Sequence, residues 1–510
     1  MNYSPPAIDY VAIAPMIVIF GAAIVSVLIE AFTPRSVRRY LQLLIVFGAL
    51  IAAAALIVIN ASTRVVTAGQ AIVIDGPALV LQGAIVIIAI LGAALMAERS
   101  IDSVGDAFAS RVSSLPGSEE EKQFTQRGYL QTEIWPLTLF AVLGMMLFVT
   151  ANDLLIMFIG LEIMSLPLYL MTGMARRRRL LSQEAALKYF LLGAFSSAFF
   201  LYGAALVYGY AGSITFPEIA QSVTSKPGES LVLMIGLGMV LIGLLFKVGA
   251  VPFHQWVPDV YQGAPTAVTG FMAATVKIAA FGALLRILYV AFGGVRWDWE
   301  PIIWIIASLT MLVGSILAVV QSDIKRMLAY SSVAQAGFIL IGVAAASAAG
   351  IASTMFYLIA YGFTTIGAFA IITMVRDAGG EATNLATWSG IGRKSPVVAS
   401  AFAVFMLALA GIPLTSGFVG KFGVFAAAIE AGMVWLVIVG VVASLIAAFF
   451  YVRVIVVMFF AQPTDQTASV VVPSAFTTVA LAAGAAVTVI LGVVPQPVLD
   501  LVTNADVFIR

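Results

Sequence analysis

The sequence predicts an all-α polytopic membrane protein of about 14 transmembrane helices with two inverted five-helix repeats. Of its 510 residues, 62% are hydrophobic and only 10% are charged, whereas soluble domains are roughly 45–50% apolar and about 25% charged. Apolar runs of about twenty residues, each long enough to cross a bilayer, recur along the chain. Glycine and proline interrupt two of these runs. A soluble protein is therefore excluded.

The spans are assigned in chain order from apolar runs that end at charges, prolines or glycine-rich turns. The first is interpreted as a retained helix because no basic segment precedes it, and a polar insert at 98–133 separates the third span from the fourth. The predicted starts are near residues 11, 41, 78, 134, 153, 184, 231, 265, 301, 324, 351, 396, 432 and 472. The predicted units are 1–133 (three helices and the insert), 134–291 (first repeat), 300–461 (second repeat) and 470–510 (last helix).

The orientation of these spans follows from the basic residues, because Lys and Arg in short loops stay on the cytoplasmic side. With the N-terminus outside, 16 basic residues fall in inner loops and four in outer segments. The run Arg176 to Arg179 is interpreted as a topology anchor rather than a lipid or nucleic-acid patch. Both termini are therefore predicted on the outer side. The retained first helix without a presequence favours a bacterial cytoplasmic membrane over an imported organellar protein.

The seventh and twelfth spans are predicted to be broken helices. The seventh contains Gly249, Pro252 and Pro258, and the twelfth contains Gly411 and Pro413. Proline lacks an N–H group and interrupts the helical hydrogen bonds. Irregular backbone at membrane depth is tolerated where it is buried in protein or lines a hydrated cavity. The breaks are five spans apart, and because five is odd, spans 4–8 and 9–13 are predicted to be inverted repeats of the transporter kind.

Four charged residues lie deep within spans, where each costs about 2.5–3.5 kcal/mol on insertion scales. Glu162 is the acid deepest in a span, and Lys247 at the seventh-span break is its expected partner. Lys277 and Lys421 are central and have no deep acid in their own spans. Desolvated lysine can release its proton, whereas arginine keeps its charge. The lysines therefore favour proton transfer, although a static Glu162–Lys247 pair that fixes helix packing remains open.

Two further titratable residues have an open assignment. Lys188 follows Glu184 at i,i+4 spacing, which fits a helix-end pair as well as a relay. His254, the single histidine, fits a capping or packing residue beside Pro252 as well as a proton-sharing neighbour of Lys247.

Other polar positions have plainer interpretations. Ser331, Ser332 and Gln335 form a stripe that could hold water or join helices. Arg286 and Arg453, near helix ends, are expected to extend their charged groups to the interface.

The composition excludes several classes of chemistry. The chain has no cysteine and one histidine, which excludes thiolate sites and cysteine-ligated iron–sulfur clusters and disfavours haem or zinc. It contains no phosphate-binding G-x-x-x-x-G-K-[ST] loop. The net charge of +1 gives no electrostatic reason to expect nucleic acid as a partner. The chain carries no redox group, so any energy that it uses must arrive from elsewhere.

Several separated blocks resemble one family. These are LEIMSLPLYL around Glu162, FKVGAVPFHQWVPDVYQGAPTAVTGFMAATVK ending at Lys277, DIKRMLAYSSVAQAGF and PLTSGFVGKF. In order and spacing they are similar to the antiporter-like membrane subunits of proton-pumping NADH:quinone oxidoreductase, respiratory complex I. The VYQGAP segment and a lysine at 421 are most like the N-type branch of that family.

The resemblance implies a share in proton translocation that redox chemistry in other subunits drives. It implies Glu162 and Lys247 as the coupled pair, Lys277 as the central relay and Lys421 near the outward exit, with Lys188 and His254 accessory. The implied partners are other membrane-arm subunits, including an adjacent antiporter-like subunit, and the lipid bilayer. No cofactor is implied here, since NADH, FMN, iron–sulfur clusters and quinone would bind in partner subunits.

Two alternatives to pumping remain open, and one position departs from the family. Gln335 stands where N-type subunits often have histidine, so a protonatable link there is an open question. A subunit of a multi-subunit cation/proton antiporter would share the fold and the buried lysines. A purely structural role would make the buried charges static pairs.

Overall fold

The computed structural model describes residues 7–101, 105–111, 113–116, 118–126, 130–225, 231–377 and 379–509. In the first half the helices are α1 Ala14–Phe32, α2 Arg35–Ile59, α3 Gly76–Ala97, α4 Glu119–Gln126, α5 Ile134–Thr150, α6 Leu154–Thr172, α7 Arg179–Ala211, α8 Phe216–Ser225, α9 Leu231–Val248 and α10 Trp256–Gly263. The later helices are α11 Thr266–Arg286, α12 Arg296–Val319, α13 Ile324–Ala344, α14 Ala348–Met374, α15 Ile391–Lys394, α16 Pro396–Ala410, α17 Ser416–Glu430, α18 Val434–Phe459, α19 Ala475–Val493 and α20 Gln496–Thr503.

The predicted set of fourteen spans is confirmed in the described part of the chain. Twelve helices are long and apolar enough to cross a membrane, and the shorter apolar helices α5 and α16 complete the set. The seventh span consists of α9 and α10, and the twelfth of α16 and α17. Arg127, Lys226 and Arg510, which contributed to the orientation assignment, lie outside the described residues.

Small β elements and a π turn are features that the sequence analysis did not predict. An antiparallel hairpin joins β1 Val65–Thr67 to β2 Ile72–Ile74. In a second small sheet, β3 Val375–Asp377 lies between β4 Gly380–Glu381 and β5 Ser469–Val470. The last turn of α11 continues as a π-helix at Ile287–Ala291.

Both broken spans end their first helix with the same glycine geometry. Gly249 after α9 and Gly411 after α16 have φ angles of +79° and +84°. In each case the glycine amide donates to the carbonyl four residues back, and the next amide donates five residues back. This is the Schellman pattern, which needs a left-handed residue. The helices therefore end at the glycines, and Pro252 and Pro413 lie beyond the ends that they were expected to cause.

The two repeats share a further pattern at their second helices. Asp153 caps α6 and Asp323 caps α13, each accepting a hydrogen bond from the amide three residues on. Asp153 forms a β-bridge with Thr215 and Asp323 forms one with Asn384, just beyond the next helix in each repeat. The same local design thus occurs twice, as expected for repeated five-helix units.

Close packing of neighbouring helices also repeats. A Cβ on Gly144 of α5 would lie 2.1 Å from the backbone nitrogen of Met164 in α6. A Cβ on Gly314 of α12 would lie 2.5 Å from the backbone nitrogen of Ala334 in α13. Both helix pairs therefore approach too closely for any residue except glycine at these positions.

The centre of the bundle is formed by α11, α13 and α14. In the most apolar stretch of α11, 100% of the residues are buried, and in those of α13 and α14 the share is 94% each. The corresponding values for α1, α2, α18 and α19 are 28–33%, so these helices lie at the periphery. Lys277 is on α11, at the centre.

The expectation for Arg286 is wrong. Its side chain is fully buried, and the guanidinium donates to both carboxylate oxygens of Asp75 at 2.8 and 2.9 Å and to the Val149 carbonyl at 3.0 Å. A buried acid 211 positions away supplies the pairing, which a search within one span cannot reveal. Arg453 is exposed as expected and donates to the Val319 carbonyl.

Candidate functional site

The predicted relay residues lie on four different helices of the bundle. Glu162 is on α6, Lys247 on α9, Lys277 on α11 and Lys421 on α17. The exposed fractions of the three lysines are 2%, 4% and 5%, in that order. Lysine is rarely buried this deeply without a specific role or partner. The contacts of each side chain therefore decide what the group can do.

Glu162 lies in the middle of α6 and is half-buried. Its carboxylate accepts a hydrogen bond from the Ser197 hydroxyl of α7. The neighbouring Ser196 donates to the Gly243 carbonyl of α9. The serine pair of α7 thus lies between the helix that carries the acid and the helix that carries Lys247.

Lys247 lies in the last helical turn before the first break, inside a cluster of aromatic rings. Its ammonium is 5.1 Å from the Tyr169 ring centroid and 5.0 Å from that of Tyr189, and it donates to the Tyr169 hydroxyl at 3.4 Å. The Tyr189 ring stacks on Trp256 at 4.6 Å. Within the described residues no ion pair joins Lys247 to Glu162. The expected direct pair is therefore absent, and Tyr169 is the hydrogen-bond partner.

Lys277 projects from the fully buried α11 towards α13 and α14. Its ammonium donates to the Ser332 carbonyl at 2.5 Å and lies 5.3 Å from the Tyr361 ring centroid. In an α-helix the Ser332 carbonyl also accepts a hydrogen bond from the Ala336 amide. The lysine is therefore a second donor to the same oxygen. The ammonium is held in place without an acid beside it.

Lys421 lies in α17, directly behind the second helix break. Its ammonium donates to the Ala410 carbonyl at 2.8 Å and to the Ser444 hydroxyl at 2.9 Å. It also lies 4.4 Å from the Phe338 ring centroid. Ala410 is the last residue of α16, and its carbonyl is free for the lysine because the helix ends there. The break therefore creates the acceptor that holds this lysine.

The three sites share one chemical property. Neutral oxygens and ring faces surround each ammonium, and in the described part of the chain no carboxylate lies within ion-pair distance of any of them. A buried charge without a counter-charge costs several kcal/mol. Lysine can avoid this cost by releasing its proton, which arginine cannot do. The arrangement suits groups that take up and release protons.

A network of hydroxyl groups lies between Lys277 and Lys421. The polar stripe Ser331, Ser332 and Gln335 of α13 was predicted to hold water or to join helices, and its hydrogen bonds join α13 to α14. Ser332 accepts from the Tyr361 hydroxyl at 2.9 Å, and Gln335 accepts from the Tyr357 hydroxyl at 2.5 Å. The sequence analysis did not identify these tyrosines. Their spacing of four residues, which places both on one face of α14, was the available signal.

Lys188 forms the predicted helix-end pair and has a second partner. It contacts Glu184 at 2.6 Å and Asp259 of α10 at 2.9 Å. Asp259 also pairs with Arg326 of α13 at 2.7 Å. The cluster connects the first repeat with the second, and Lys188 itself is 44% exposed. This geometry favours a structural link at one end of the bundle, and an accessory relay role remains a prediction.

His254 lies in the break between α9 and α10 and is half-buried. Its Nδ1 atom is buried and has no hydrogen-bond partner among the described residues. Its carbonyl accepts from the Val257 amide at the start of α10. This backbone hydrogen bond agrees with the capping interpretation. Among the described residues His254 forms no hydrogen bond with Lys247, so the structure does not support proton sharing between them.

The fold has counterparts in known proteins. The sequence family described as NADH:quinone oxidoreductase/Mrp antiporter, TM, matches residues 151–447. The chain belongs to this family. The matched region includes α6 to α17 and therefore Glu162, Lys247, Lys277 and Lys421.

Similar family members are found among curated proteins and solved structures. The chain is 56% identical to NADH-quinone oxidoreductase subunit N of Rhodococcus opacus, over 99% of this chain and 97% of that protein. It is 51% identical to subunit N of Mycobacterium tuberculosis, over 99% of each. A chain of respiratory complex I from Thermus thermophilus with bound Aureothin is 31% identical, with a TM-score of 0.77 and coverage of 96% and 99%.

A chain of an Mrp complex is similar in fold as well. A chain of the Mrp complex from Dietzia sp. DQ12-45-1b has a TM-score of 0.81 at 23% identity, over 98% of this chain and 97% of that chain. At this identity the likeness concerns the fold alone.

Proposed function

We propose that this chain is the proton-translocating, N-type membrane-arm subunit of an NADH:quinone oxidoreductase. The observation that carries the proposal is the series of buried lysines without carboxylate partners, on α9, α11 and α17. The names and the full-length identity of the relatives support the same function.

The proposed relay uses the protonation of each lysine in turn. A proton bound at the Nζ atom of Lys247 moves to Lys277 and then to Lys421, and each transfer exchanges one N–H bond for another. The charge at Glu162, which bonds to Ser197 on the helix next to the one that carries Lys247, sets when Lys247 holds its proton. Because an ammonium is stabilised by a nearby negative charge and destabilised by burial, a change at Glu162 can drive the transfer.

The energy source and the cofactors belong to partner subunits. NADH, FMN, the iron–sulfur clusters and quinone would bind there, and the complex as a whole would be a translocase. In the described residues no cluster of three or more His, Cys, Asp or Glu side chains could hold a metal ion. This chain would lie beside other membrane-arm subunits, one of them antiporter-like, in a bacterial cytoplasmic membrane with both termini outside.

We also propose the division into units 1–133, 134–291, 300–461 and 470–510. The repeated glycine-terminated breaks at Gly249 and Gly411 support it. In this scheme each repeat supplies one half of the path, with Lys247 in the first and Lys421 in the second. Lys277, on the central helix, joins the halves.

The test is proton pumping per NADH oxidised in sealed vesicles that carry the assembled complex. We expect Lys247→Ala to lower pumping, because the first proton site is lost. The matched control is Lys122→Ala, which removes an exposed lysine that pairs with Glu119 at 2.6 Å. If Lys247→Ala assembles and pumps like the control, the buried lysine is structural and the proposed relay is wrong.

The alternative function is a subunit of a cation/proton antiporter, because the description of the matching family also names the Mrp antiporter. The same vesicles can be tested without NADH for Na⁺-dependent proton exchange. Exchange that persists without NADH and is lost in Lys247→Ala would support the antiporter and oppose the pump.

A further inference from the structure

One face of α7 contacts the groups that hold both the acid and the lysine of the first repeat. Its residues Tyr189, Gly193 and Ser197 are spaced by four positions, which places them on the same side of the helix. This side lies against α6, the helix that carries Glu162. The role of this face rests on the proposed function, because it concerns the same acid and the same lysine.

At one end of the face, Ser197 binds the acid. Its hydroxyl donates a hydrogen bond to the Oε1 atom of Glu162. The adjacent Ser196 is turned towards α9 and donates to the Gly243 carbonyl at 3.5 Å. A hydrogen bond donated to a carboxylate favours its ionised form and fixes its orientation. Ser197 therefore holds the Glu162 carboxylate in place and stabilises its charge.

At the other end of the face, Tyr189 and Gly193 surround the side chain of Tyr169. The two tyrosine rings meet edge to face with their centroids 4.6 Å apart. A Cβ on Gly193 would lie 2.0 Å from the Tyr169 hydroxyl oxygen and 2.6 Å from its Cζ atom. A glycine is therefore needed to leave room for this hydroxyl, which accepts the hydrogen bond from Lys247 at 3.4 Å.

The two ends of the face correspond to two separate positions on α6. Glu162 and Tyr169 lie seven residues apart on this helix, which is two turns or about 10 Å along the axis. Charges at a separation of this order still interact inside a protein, whereas a hydrogen bond requires contact at about 3 Å. The acid and the lysine thus have different hydrogen-bond partners while their charges can still affect each other.

We propose that Ser197 and Gly193 are positioning residues of the first proton site. Ser197 fixes the Glu162 carboxylate, and Gly193 allows the Tyr169 hydroxyl to bind the Lys247 ammonium. Neither residue takes up a proton itself. Together they prevent the acid and the lysine from forming a direct, static ion pair, in which each charge would be hard to discharge.

The charged groups around α6 show which group a change at Ser197 affects first. The helices that pack most extensively against α6 are α5, α7 and α11, and α5 carries no charged residue. The charged residues of the other two helices are Arg179, Glu184, Lys188, Lys277 and Arg286. The three on α7 lie nine or more residues before Ser197. Lys277 and Arg286 are bound to the Ser332 carbonyl and to Asp75. Tyr169, Tyr189 and Lys247 contact one another at the other end of the face. A pH effect of a change at Ser197 is therefore assigned to Glu162.

The first experiment measures proton pumping against pH in sealed vesicles that carry the assembled complex with Ser197→Ala. We expect the acidic limb of the profile to move about one pH unit higher, because the carboxylate loses a hydrogen bond and its neutral form persists to higher pH. Ser197→Thr keeps the hydroxyl and should restore the wild-type profile. Ser196→Ala, which removes a hydroxyl bonded to a backbone carbonyl, is the matched control.

A role of Ser197 in packing alone predicts a different result. Pumping would then fall by the same factor at every pH, and the acidic limb would stay in place. That outcome, or a profile for Ser197→Ala equal to that of Ser196→Ala, would overturn the positioning role of Ser197.

The second experiment tests Gly193→Ala in the same vesicles. The added methyl group must displace the Tyr169 hydroxyl from the Lys247 ammonium, and we expect pumping to fall about tenfold or more, as small misplacements of reacting groups do. The matched control is Gly209→Ala on the same helix, where a Cβ would meet nothing within 4 Å. Equal pumping by the two variants would overturn the positioning role of Gly193.

A third variant, Tyr169→Phe, removes the hydroxyl without adding an atom, and it tests the same contact if Gly193→Ala does not assemble. We expect its pumping to fall as well. The double variant should pump no worse than the poorer single variant, because both changes act through one hydroxyl. Wild-type pumping in Tyr169→Phe, or losses that add in the double variant, would contradict the proposal.

Lys247→Ala, measured in parallel, separates this proposal from the proposed function. If Lys247→Ala loses pumping while Ser197→Ala and Gly193→Ala match their controls, the positioning roles are wrong and the relay stands. If Lys247→Ala also pumps normally, the proposed function itself is wrong.

Discussion

At the scale of single residues, the half-buried acid and the buried lysine of the first repeat each bond to a separate hydroxyl group. Glu162 accepts from Ser197, and Lys247 donates to Tyr169. A direct ion pair would stabilise both charges at once and make either one hard to discharge. Since the two side chains form no direct pair, each can change its protonation state without leaving the other as a broken ion pair.

Glu98 lies outside the spans, and its surroundings keep it ionised rather than able to change its protonation state. It lies directly after α3, where burial alone would raise the pKa of its carboxyl. Hydrogen bonds from Ser474, before α19, and from Ser100 outweigh burial and lower the pKa from 4.5 to about 2. The ionised carboxylate thereby fastens the end of α3 to the start of α19.

This pKa predicts a pH dependence of stability. Since the folded pKa lies below the ordinary value, the stabilisation is complete above about pH 4.5 and is lost as the pH falls towards 2. Glu98→Gln should lower the thermal midpoint of the purified complex at pH 7. The difference in free energy of unfolding between wild type and Glu98→Gln should shrink by roughly 1 kcal/mol between pH 7 and pH 4, because only the wild-type side chain titrates. A difference that stays constant with pH would contradict the assignment.

At the scale of elements, each of the two broken spans has one lysine close to its break, before the break in one span and after it in the other. In the first, Lys247 precedes Gly249; in the second, Lys421 follows Gly411. The second break also exposes the Ala410 carbonyl that Lys421 uses. A helix end at membrane depth therefore provides backbone carbonyls that would be hydrogen-bonded within a continuous helix.

The contact between Gly411 and Lys421 can be tested. A Cβ on Gly411 would lie 2.7 Å from the Lys421 Cδ and 3.2 Å from its Nζ atom. Gly411→Ala should therefore displace the ammonium and reduce proton pumping in assembled vesicles.

Gly432→Ala is the matched control. Gly432 has φ +81°, close to the +84° of Gly411, so alanine strains both positions alike, but a Cβ there would meet nothing within 4 Å. Equal pumping by the two variants would show that backbone strain, rather than contact with the lysine, determines the effect.

At the scale of the whole molecule, a buried ion pair connects distant parts of the chain. Arg286 at the end of α11 pairs with Asp75 at the start of α3. The C-terminal segment covers the pair. The Ile509 amide donates to Asp75, and the Phe508 ring lies 4.8 Å from the Arg286 guanidinium. The pair joins the central helix to a helix of the first unit and to the C-terminal segment.

Removing one partner should destabilise the protein strongly. We expect Arg286→Ala to cost about 3–5 kcal/mol of unfolding free energy, because Asp75 is left as an unpaired buried charge. The thermal midpoint in detergent and the yield of assembled complex measure this cost. Arg453→Ala removes an exposed arginine bonded to the Val319 carbonyl and serves as the control. A midpoint for Arg286→Ala equal to that of the control would refute the structural role.

The sequence was sufficient for features that depend on local pattern. Length and apolarity of the runs predicted all fourteen spans, since a bilayer of fixed thickness demands helices of fixed length. Glycine and proline marked both breaks, and the insertion cost of charge singled out Glu162 and the three lysines. The short strands of two or three residues and the π turn carried no comparable signal and were missed.

Tertiary structure alone decided which groups meet. Arg286 finds its acid 211 positions away, and Lys247 meets Tyr169 rather than Glu162. Tyr451 of α18 contacts the polar stripe of α13 only because the two helices pack side by side. Hydropathy reports the cost of placing one residue in the membrane. The hydrogen-bond partner that offsets this cost lies on another helix, and its position is fixed only when the helices pack.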